Sequence, residues 1–307
     1  LLMMAGLILV FGKLADRGCM KWIFIAGLVL FTVGSAACGF SPAFGILLAA
    51  RIVQGIGAAM IAAVAPLLIV RYLPPQKLGV GMGVLTAASS FGFAAGPALG
   101  GIITHVLSWH WIFLINIPIG IIGIVFSLRV IPADLPAAEK SPFDLYGAVT
   151  LFGAMVFGIF ALEEVSAWGV TDPVIIICAV LCVLFTVLFI VRELRTASPF
   201  IDLRIFRRWQ FASVLLAFLI INVVFVGVIY LLPFYLSSAM NFDLAVSGLY
   251  LLIPPALTGL VCIPFGRWSD WYGRRWFMVA ACIVVLIFNG IFAVMVPDGG
   301  ILPLITG

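Results

Sequence analysis

Arg51 is a lone basic residue inside a long apolar run, and Gln54 and Gly55 follow it on the same helical face. A guanidinium carries five N–H donors and no acceptor. At the centre of a membrane helix an ionised side chain costs about 2.5–3.5 kcal/mol, so it needs a polar partner or a water-filled cavity. Such residues line paths for ions and polar solutes. At 1.5 Å per residue Arg51 lies ~9 Å along its helix, and the competing reading is a side chain that snorkels to the nearer surface.

A second pattern of charge occurs twice. Phe11-Gly12-Lys13, Asp16 and Lys21-Trp22 recur as Phe265-Gly266-Arg267, Asp270 and Arg275-Trp276. Gly12 and Gly266 allow close approach of neighbouring helices. Asp16 and Asp270 can cap helix starts or pair with an arginine. Arg17, Lys21, Arg274 and Arg275 supply positive charge at the level of lipid phosphates. The first copy has Cys19 and Met20 where the second has Gly273 and Arg274, which predicts a looser first turn. Cytoplasmic loops gather basic residues in any case, but the matched spacing argues for one duplicated device. Duplicated halves are the usual plan of a secondary transporter.

Between the two copies lies Gly83-x8-Gly92-x3-Gly96-Pro97-x2-Gly100-Gly101. Gly92, Gly96 and Gly100 fall on one face, which predicts close backbone contact. Pro97 deprives the Phe93 carbonyl of its helical donor and favours a bend. Asn116 and Pro118 follow in a Trp109–Gly120 stretch and could line a cavity, although a polar residue at a helix start explains Asn116 as well. Asn222 and Asn289 are amides at membrane depth, suited to bonding between helices or to touching a solute. Glu163 and Glu164 stand at a helix end and could attract cations or simply be solvated. His105 and His110 sit in a loop where a pH response is conceivable but exposed histidines are commonly inert.

No nucleophile–base pair, metal-ligand cluster or Gly-x4-Gly-Lys-Ser/Thr loop is present, so neither an enzyme nor an ATP-driven pump is expected. No cofactor is expected either. The six cysteines fit no metal spacing and read as structural thiols.

These residues have to be positioned by a membrane fold. The chain is 65% hydrophobic and 9% charged, against about 25% charged in soluble domains. Apolar runs occupy 1–11, 22–40, 45–70, 79–104, 111–131, 145–163, 174–191, 210–236, 245–265 and 276–296, most of them near the roughly 20 residues that span a bilayer. Alternate connections hold all the other Lys and Arg, from Lys13 to Arg275. The remainder hold no Lys or Arg and carry Glu163, Glu164, Asp172, Asp243 and Asp298 instead. The basic loops therefore face the cytoplasm, and both copies of the hairpin share that side. Eight spans separate the copies, two more than a six-plus-six plan requires. The excess predicts an inserted helix pair at 145–163 and 174–191. Three segments follow: an N-terminal bundle at 1–131, inserted helices and linker at 132–208, and the start of a C-terminal bundle at 209–307. Apolar residues at both ends read as truncation.

In these residues the chain resembles the major facilitator superfamily. Gly266-x3-Asp270-x2-Gly273-Arg274-Arg275 is similar to its hairpin motif, Arg51-x2-Gln54-Gly55-x-Gly57 to its proton-linked fourth-helix motif, and the 83–101 string to its antiporter signature. Trp109–Gly120 and Pro199–Phe206 resemble the fourteen-helix drug:proton antiporter branch, the QacA/EmrB type. The resemblance implies an all-α polytopic fold of two pseudo-symmetric bundles with two inserted central helices, in the cell membrane. It implies that a proton gradient drives export of lipophilic, cationic compounds by alternating access. Arg51, Gln54 and Gly55 would serve coupling, Gly83 through Gly101 the hinge, and the paired hairpins a cytoplasmic gate. Its partners would be small-molecule substrate, protons and the lipid bilayer, without nucleic acid. The titrating carboxylate is expected elsewhere, because Glu163 and Glu164 are the sole acids read within the spans. The alternatives are a facilitator of a sugar, organic acid or other metabolite, and a non-transporting sensor or scaffold.

Overall fold

The computed structural model describes residues 2–134, 144–196, 199–201, 203–238 and 244–295. In lipid, backbone N–H and C=O groups have no water to bond, so apolar spans close their bonds within helices. Among the described residues these are α1 (Leu2–Leu14), α2 (Met20–Gly39), α3 (Phe44–Tyr72), α4 (Leu78–Val106), α5 (His110–Leu114), α6 (Asn116–Val130), α7 (Leu145–Trp168), α8 (Pro173–Arg195), α9 (Trp209–Ser238), α10 (Leu244–Tyr272) and α11 (Arg274–Met295). No strand occurs among the described residues. Seven stretches among the described residues are long and apolar enough to cross a bilayer. The first, Leu2–Gly39, is α1 and α2 joined through a tight turn at Gly18. The chain is a multi-pass membrane protein.

Acids start several of the helices. Asp144 accepts the Gly147 N–H at 3.1 Å and begins α7; Asp172 accepts from Val174 at 2.7 Å and begins α8, with Pro173 in its first turn. A side-chain oxygen there satisfies an N–H that has no partner inside the helix, and its charge meets the positive end of the helix dipole.

Packing divides the chain into two compact units, 1–72 with 100–203, and 73–99 with 204–307. The segments expected from chain order were 1–131, 132–208 and 209–307, whereas packing gathers α7 and α8 with the first helices. In the first unit α2 packs on α3 and α6, and α7 packs on α8 and α1. One apolar core there centres on Ala15, Ile23, Met60, Ala63 and Val64; a second joins Ala148, Leu151, Phe189 and Phe200. In the second unit α10 packs on α9 and α11.

The two hairpins turn through different glycines. Gly273 has φ +92°, and Gly18 has φ +86°. That left-handed region suits glycine, which has no Cβ to collide with the backbone. Cys19 therefore does not cost the first copy its turn. The neighbouring glycine makes it one residue earlier, which corrects the looser turn expected there.

Candidate functional site

The polar site of the first unit depends on how closely α2 and α3 approach. A Cβ on Gly34 would lie 2.8 Å from the Gln54 nitrogen, and one on Gly57 would lie 2.5 Å from the Phe31 nitrogen. Glycine at those positions lets the two backbones touch. The contact lays Gln54, which is 5% exposed, over fully buried Ser35.

Arg51 donates from Nη1 to Gln54 Oε1 at 2.7 Å, and Gln54 Nε2 donates to Ser35 Oγ at 2.6 Å. Asn116 Nδ2, at the start of α6, donates to the same Ser35 oxygen at 3.4 Å. The guanidinium carbon of Arg51 also lies 5.5 Å from the Phe113 ring centroid, within cation–π range. Three spans, α2, α3 and the α5–α6 segment, thus meet at one polar chain. Arg51 itself is exposed, so its charge has a polar partner on one side and an open side on the other. Gly55 belongs to a different contact. A Cβ there would lie 3.0 Å from Met3 Cβ of α1.

Sequence reading placed Arg51 and Gln54 on one helix face and named Asn116 apart from them, but missed Ser35. Its signal was its place in a small-residue run, Gly34-Ser35-Ala36-Ala37, on the helix preceding the Arg51 span.

The hairpins differ in their packing. In the second unit Asp270 Oδ1 accepts the Gly79 N–H at 2.8 Å and Oδ2 the Val80 N–H at 3.1 Å. Gly266 meets Gly79 backbone to backbone, as expected for a contact glycine. Arg267 lies against the Trp271 ring at 4.7 Å and borders a 480 Å³ cleft with Val80, Ile263, Pro264 and Trp268. Arg275 is exposed, and the Arg274 side chain lies outside the described residues.

In the first unit Gly12 has no such neighbour. It borders a 350 Å³ cavity with Lys13, Asp16, Pro66 and Phe200, so the close helix approach expected at Gly12 is corrected. Asp16 is exposed and makes no hydrogen bond to another described residue; Arg17 is half-buried. Lys21 is engaged instead. Its Nζ donates to the Leu128 and Ile131 carbonyls at 3.1 and 2.6 Å, and its N–H donates to Asp134 at 2.8 Å. Asp134 also accepts from the Trp22 N–H at 3.4 Å. One corner thereby caps the start of α2 and the end of α6. Sequence reading did not single out Asp134, because loop acids are common and its target lies 113 positions away.

Of the glycine string, Gly83 is a contact residue: a Cβ there would lie 2.5 Å from the Cys262 carbonyl. Gly92, Gly96, Gly100 and Gly101 are open, with no described atom within 4 Å of an added Cβ. None of the described residues supplies the close contact expected along that face. Asn222 is exposed and bonds the Phe218 carbonyl of its own helix at 2.8 Å. Glu163 is exposed and Glu164 half-buried near the end of α7. Asn289 has its side chain outside the described residues.

The reading that no further acid lies within a span is also corrected. Helix α8 continues past residue 191 to Arg195 and carries Glu193, which is 5% exposed. Glu193 Oε1 accepts the Phe200 N–H at 3.0 Å, and Lys13 Nζ donates to the Pro199 carbonyl at 3.3 Å. Beside them Arg192 pairs with buried Asp144 at 3.3 Å. No group of three His, Cys, Asp or Glu among the described residues could hold a metal. The described cysteines are free thiols.

Comparison with known proteins adds to this geometry. The family model described as Major Facilitator Superfamily matches residues 1–144 and 145–306. The chain is 29% identical over 296 residues to the lincomycin resistance protein LmrB of Bacillus subtilis (strain 168), covering 95% of this chain and 61% of that protein. It is 29% identical over 285 residues to the multidrug resistance protein B homolog of Mycobacterium tuberculosis (strain ATCC 25618 / H37Rv), covering 92% and 52%. It is 31% identical over 255 residues to multidrug resistance protein 3 of Bacillus subtilis (strain 168), covering 82% and 49%. The chain spans about half the length of these curated relatives, and somewhat more of the first.

Proposed function

This chain belongs to the Major Facilitator Superfamily, and from that premise we propose that it forms part of a secondary exporter of lipophilic cationic compounds, driven by inward proton flow. The two bundles of the whole transporter alternate access to a site near the midplane. The observation that carries this reading is the chain of hydrogen bonds from Arg51 through Gln54 to Ser35, met by Asn116. A cation with polar partners at membrane depth is costly to keep and is characteristic of ion pathways. The resistance named in the relatives' descriptions supports a toxic, drug-like cargo.

Arg51 supplies a fixed positive charge to the coupling path, and its bond to Gln54 ties that charge to the α2–α3 contact. The hairpins act at the cytoplasmic side: Asp270 holds the start of α4, while Lys21 with Asp134 fixes the corner between α2 and α6. Gly83 through Gly101 give α4 its capacity to bend.

The test is proton-driven transport by the full-length protein in inside-out vesicles. A lipophilic cation such as tetraphenylphosphonium is added to vesicles holding an acid interior, and a pH dye reports proton efflux. Substrate-dependent collapse of the gradient, lost in Arg51→Ala, is the expected result. Unchanged collapse in that variant sinks the coupling role of Arg51. No collapse with any cation, despite correct insertion, sinks proton-coupled cation export.

A further inference from the structure

We infer that Ser35 is the positioning residue of the Arg51 site: it accepts the far N–H of the Gln54 amide and so holds the amide oxygen toward the guanidinium. The inference rests on the coupling role proposed for Arg51 and adds the group that orients it.

A guanidinium has donors alone, so Gln54 can bond Arg51 only through Oε1. That choice leaves Gln54 Nε2, on a side chain 5% exposed, as a donor that needs an acceptor. Ser35 Oγ supplies it at 2.6 Å. Were the amide turned over, its nitrogen would face Arg51 and two donors would oppose each other. Arg51 therefore sets the amide orientation, and Ser35 accepts the buried N–H that this orientation leaves over, which holds Gln54 in place beneath the guanidinium.

The same oxygen also receives Asn116 Nδ2 at 3.4 Å. A hydroxyl oxygen has two lone pairs, and here each meets an amide donor. Ser35 thus connects α3 to α6 while touching neither Arg51 nor, in this reading, substrate. Its surroundings limit what else could stand there. Gly34 beside it admits the Gln54 backbone, and Ser35 is fully buried, so a larger side chain would push α2 from α3. Alanine fits the space and removes only the hydroxyl.

The experiment uses full-length transporter in inside-out vesicles, with tetraphenylphosphonium as the probe and rates expressed per inserted molecule. Four variants are compared with the parent: Ser35→Ala, Gln54→Ala, the double variant and Arg51→Ala. Initial rates are taken over a range of substrate concentration and pH. If Ser35 acts through Gln54, Ser35→Ala lowers kcat about tenfold, ~1.4 kcal/mol, keeps KM within about twofold, and displaces the pH profile of transport. In the Gln54→Ala background the same substitution then changes kcat by less than about twofold, because the group it orients is gone. A Ser35→Ala transporter with the parent's kcat and pH profile overturns the inference. So does a full tenfold loss on top of Gln54→Ala, which would show that Ser35 acts by itself. If these results come with an inactive Arg51→Ala, the Ser35 role fails while the coupling reading stands. If Arg51→Ala transports normally, the coupling reading fails and the Ser35 role falls with it.

Discussion

The carboxylate of Asp270 holds the backbone N–H of Gly79 at 2.8 Å, across 191 positions of chain. Val80 donates to its second oxygen at 3.1 Å. These are the first turns of α4, the helix that carries the glycine string. Gly79 and Gly266 lie backbone to backbone beside this pair, which brings the acid within reach of the amides. The second hairpin therefore acts as a helix cap supplied from the last turn of α10.

Replacing Asp270 with Ala removes both acceptors from the start of α4. Loss of such a cap costs about 1 kcal/mol, and loss of the charge at the helix start adds a few tenths. The full-length protein in detergent should melt at a lower temperature. Asp270→Asn, which keeps one acceptor, should lose roughly half as much. Gly79→Val should be worse than either, because its Cβ collides with the Gly266 carbonyl. A melting temperature for Asp270→Ala equal to the parent's refutes the cap.

Arg51→Lys separates two readings of Arg51. A side chain that merely snorkels needs charge and length, and lysine has both. A side chain that bonds Gln54 and lies over Phe113 needs a planar fork. On the second reading, proton-driven transport by Arg51→Lys falls about tenfold, ~1.4 kcal/mol, despite the retained charge. Initial rates in vesicles at saturating substrate decide between them, and a rate near the parent's favours snorkelling.

The legibility of this chain was uneven for physical reasons. Helices were legible because a bilayer demands about 20 apolar residues in a row, and the run at 22–40 became α2 at Met20–Gly39. Arg51 was legible because a charge in an apolar run stands out. Ser35 was not, since a serine among small residues gives no sign of two amides that converge on it from other helices. Glu193 was hidden by its setting: one acid in Val191-Arg192-Glu193-Leu194-Arg195 reads as a solvated end. Its burial comes from Phe200, which folds back onto α7 and α8. Gly92, Gly96 and Gly100 show the opposite limit. The spacing specifies a smooth face but not what rests on it.

The corner at Lys21 and Asp134 predicts an asymmetry. Asp134 bonds the backbone N–H of Lys21 and Trp22, whereas the Lys21 side chain bonds the Leu128 and Ile131 carbonyls. Lys21→Met therefore removes the cap of α6 and leaves that of α2 intact. Asp134→Ala does the reverse. Each should lower stability by about 0.5–1.5 kcal/mol. The pair of losses should add within about 0.5 kcal/mol, because the two sets of bonds share no acceptor. Denaturation of the single and double variants measures this, and a strongly non-additive double variant argues for one merged interaction instead.

The last prediction concerns the turn after α8. Glu193 Oε1 accepts the Phe200 N–H, the Phe200 ring is 4% exposed against Ala148, Leu151 and Phe189, and Lys13 holds the Pro199 carbonyl. Residues 199–201 are thus fastened at the backbone by two charged groups and at the side chain by an apolar core. Glu193→Ala strips the acceptor from a buried N–H, a loss of about 1–3 kcal/mol. If the turn opens before it exchanges, amide exchange at Phe200 speeds up by roughly 5- to 150-fold, the same free energy expressed as a rate. Glu193→Gln keeps an oxygen in the same place and should retain most of the protection. Gly147 packs beside Glu193 Oε1 and reports on the adjoining end of α7, where the cap and the Arg192–Asp144 pair use hydrogen bonds other than those of Glu193. Exchange at Gly147 should therefore stay near the parent value in both variants. Equal acceleration at Gly147 and Phe200 would mean that Glu193→Ala loosens the whole α7–α8 end, and an unchanged Phe200 rate would mean that the Phe200 ring alone holds the turn.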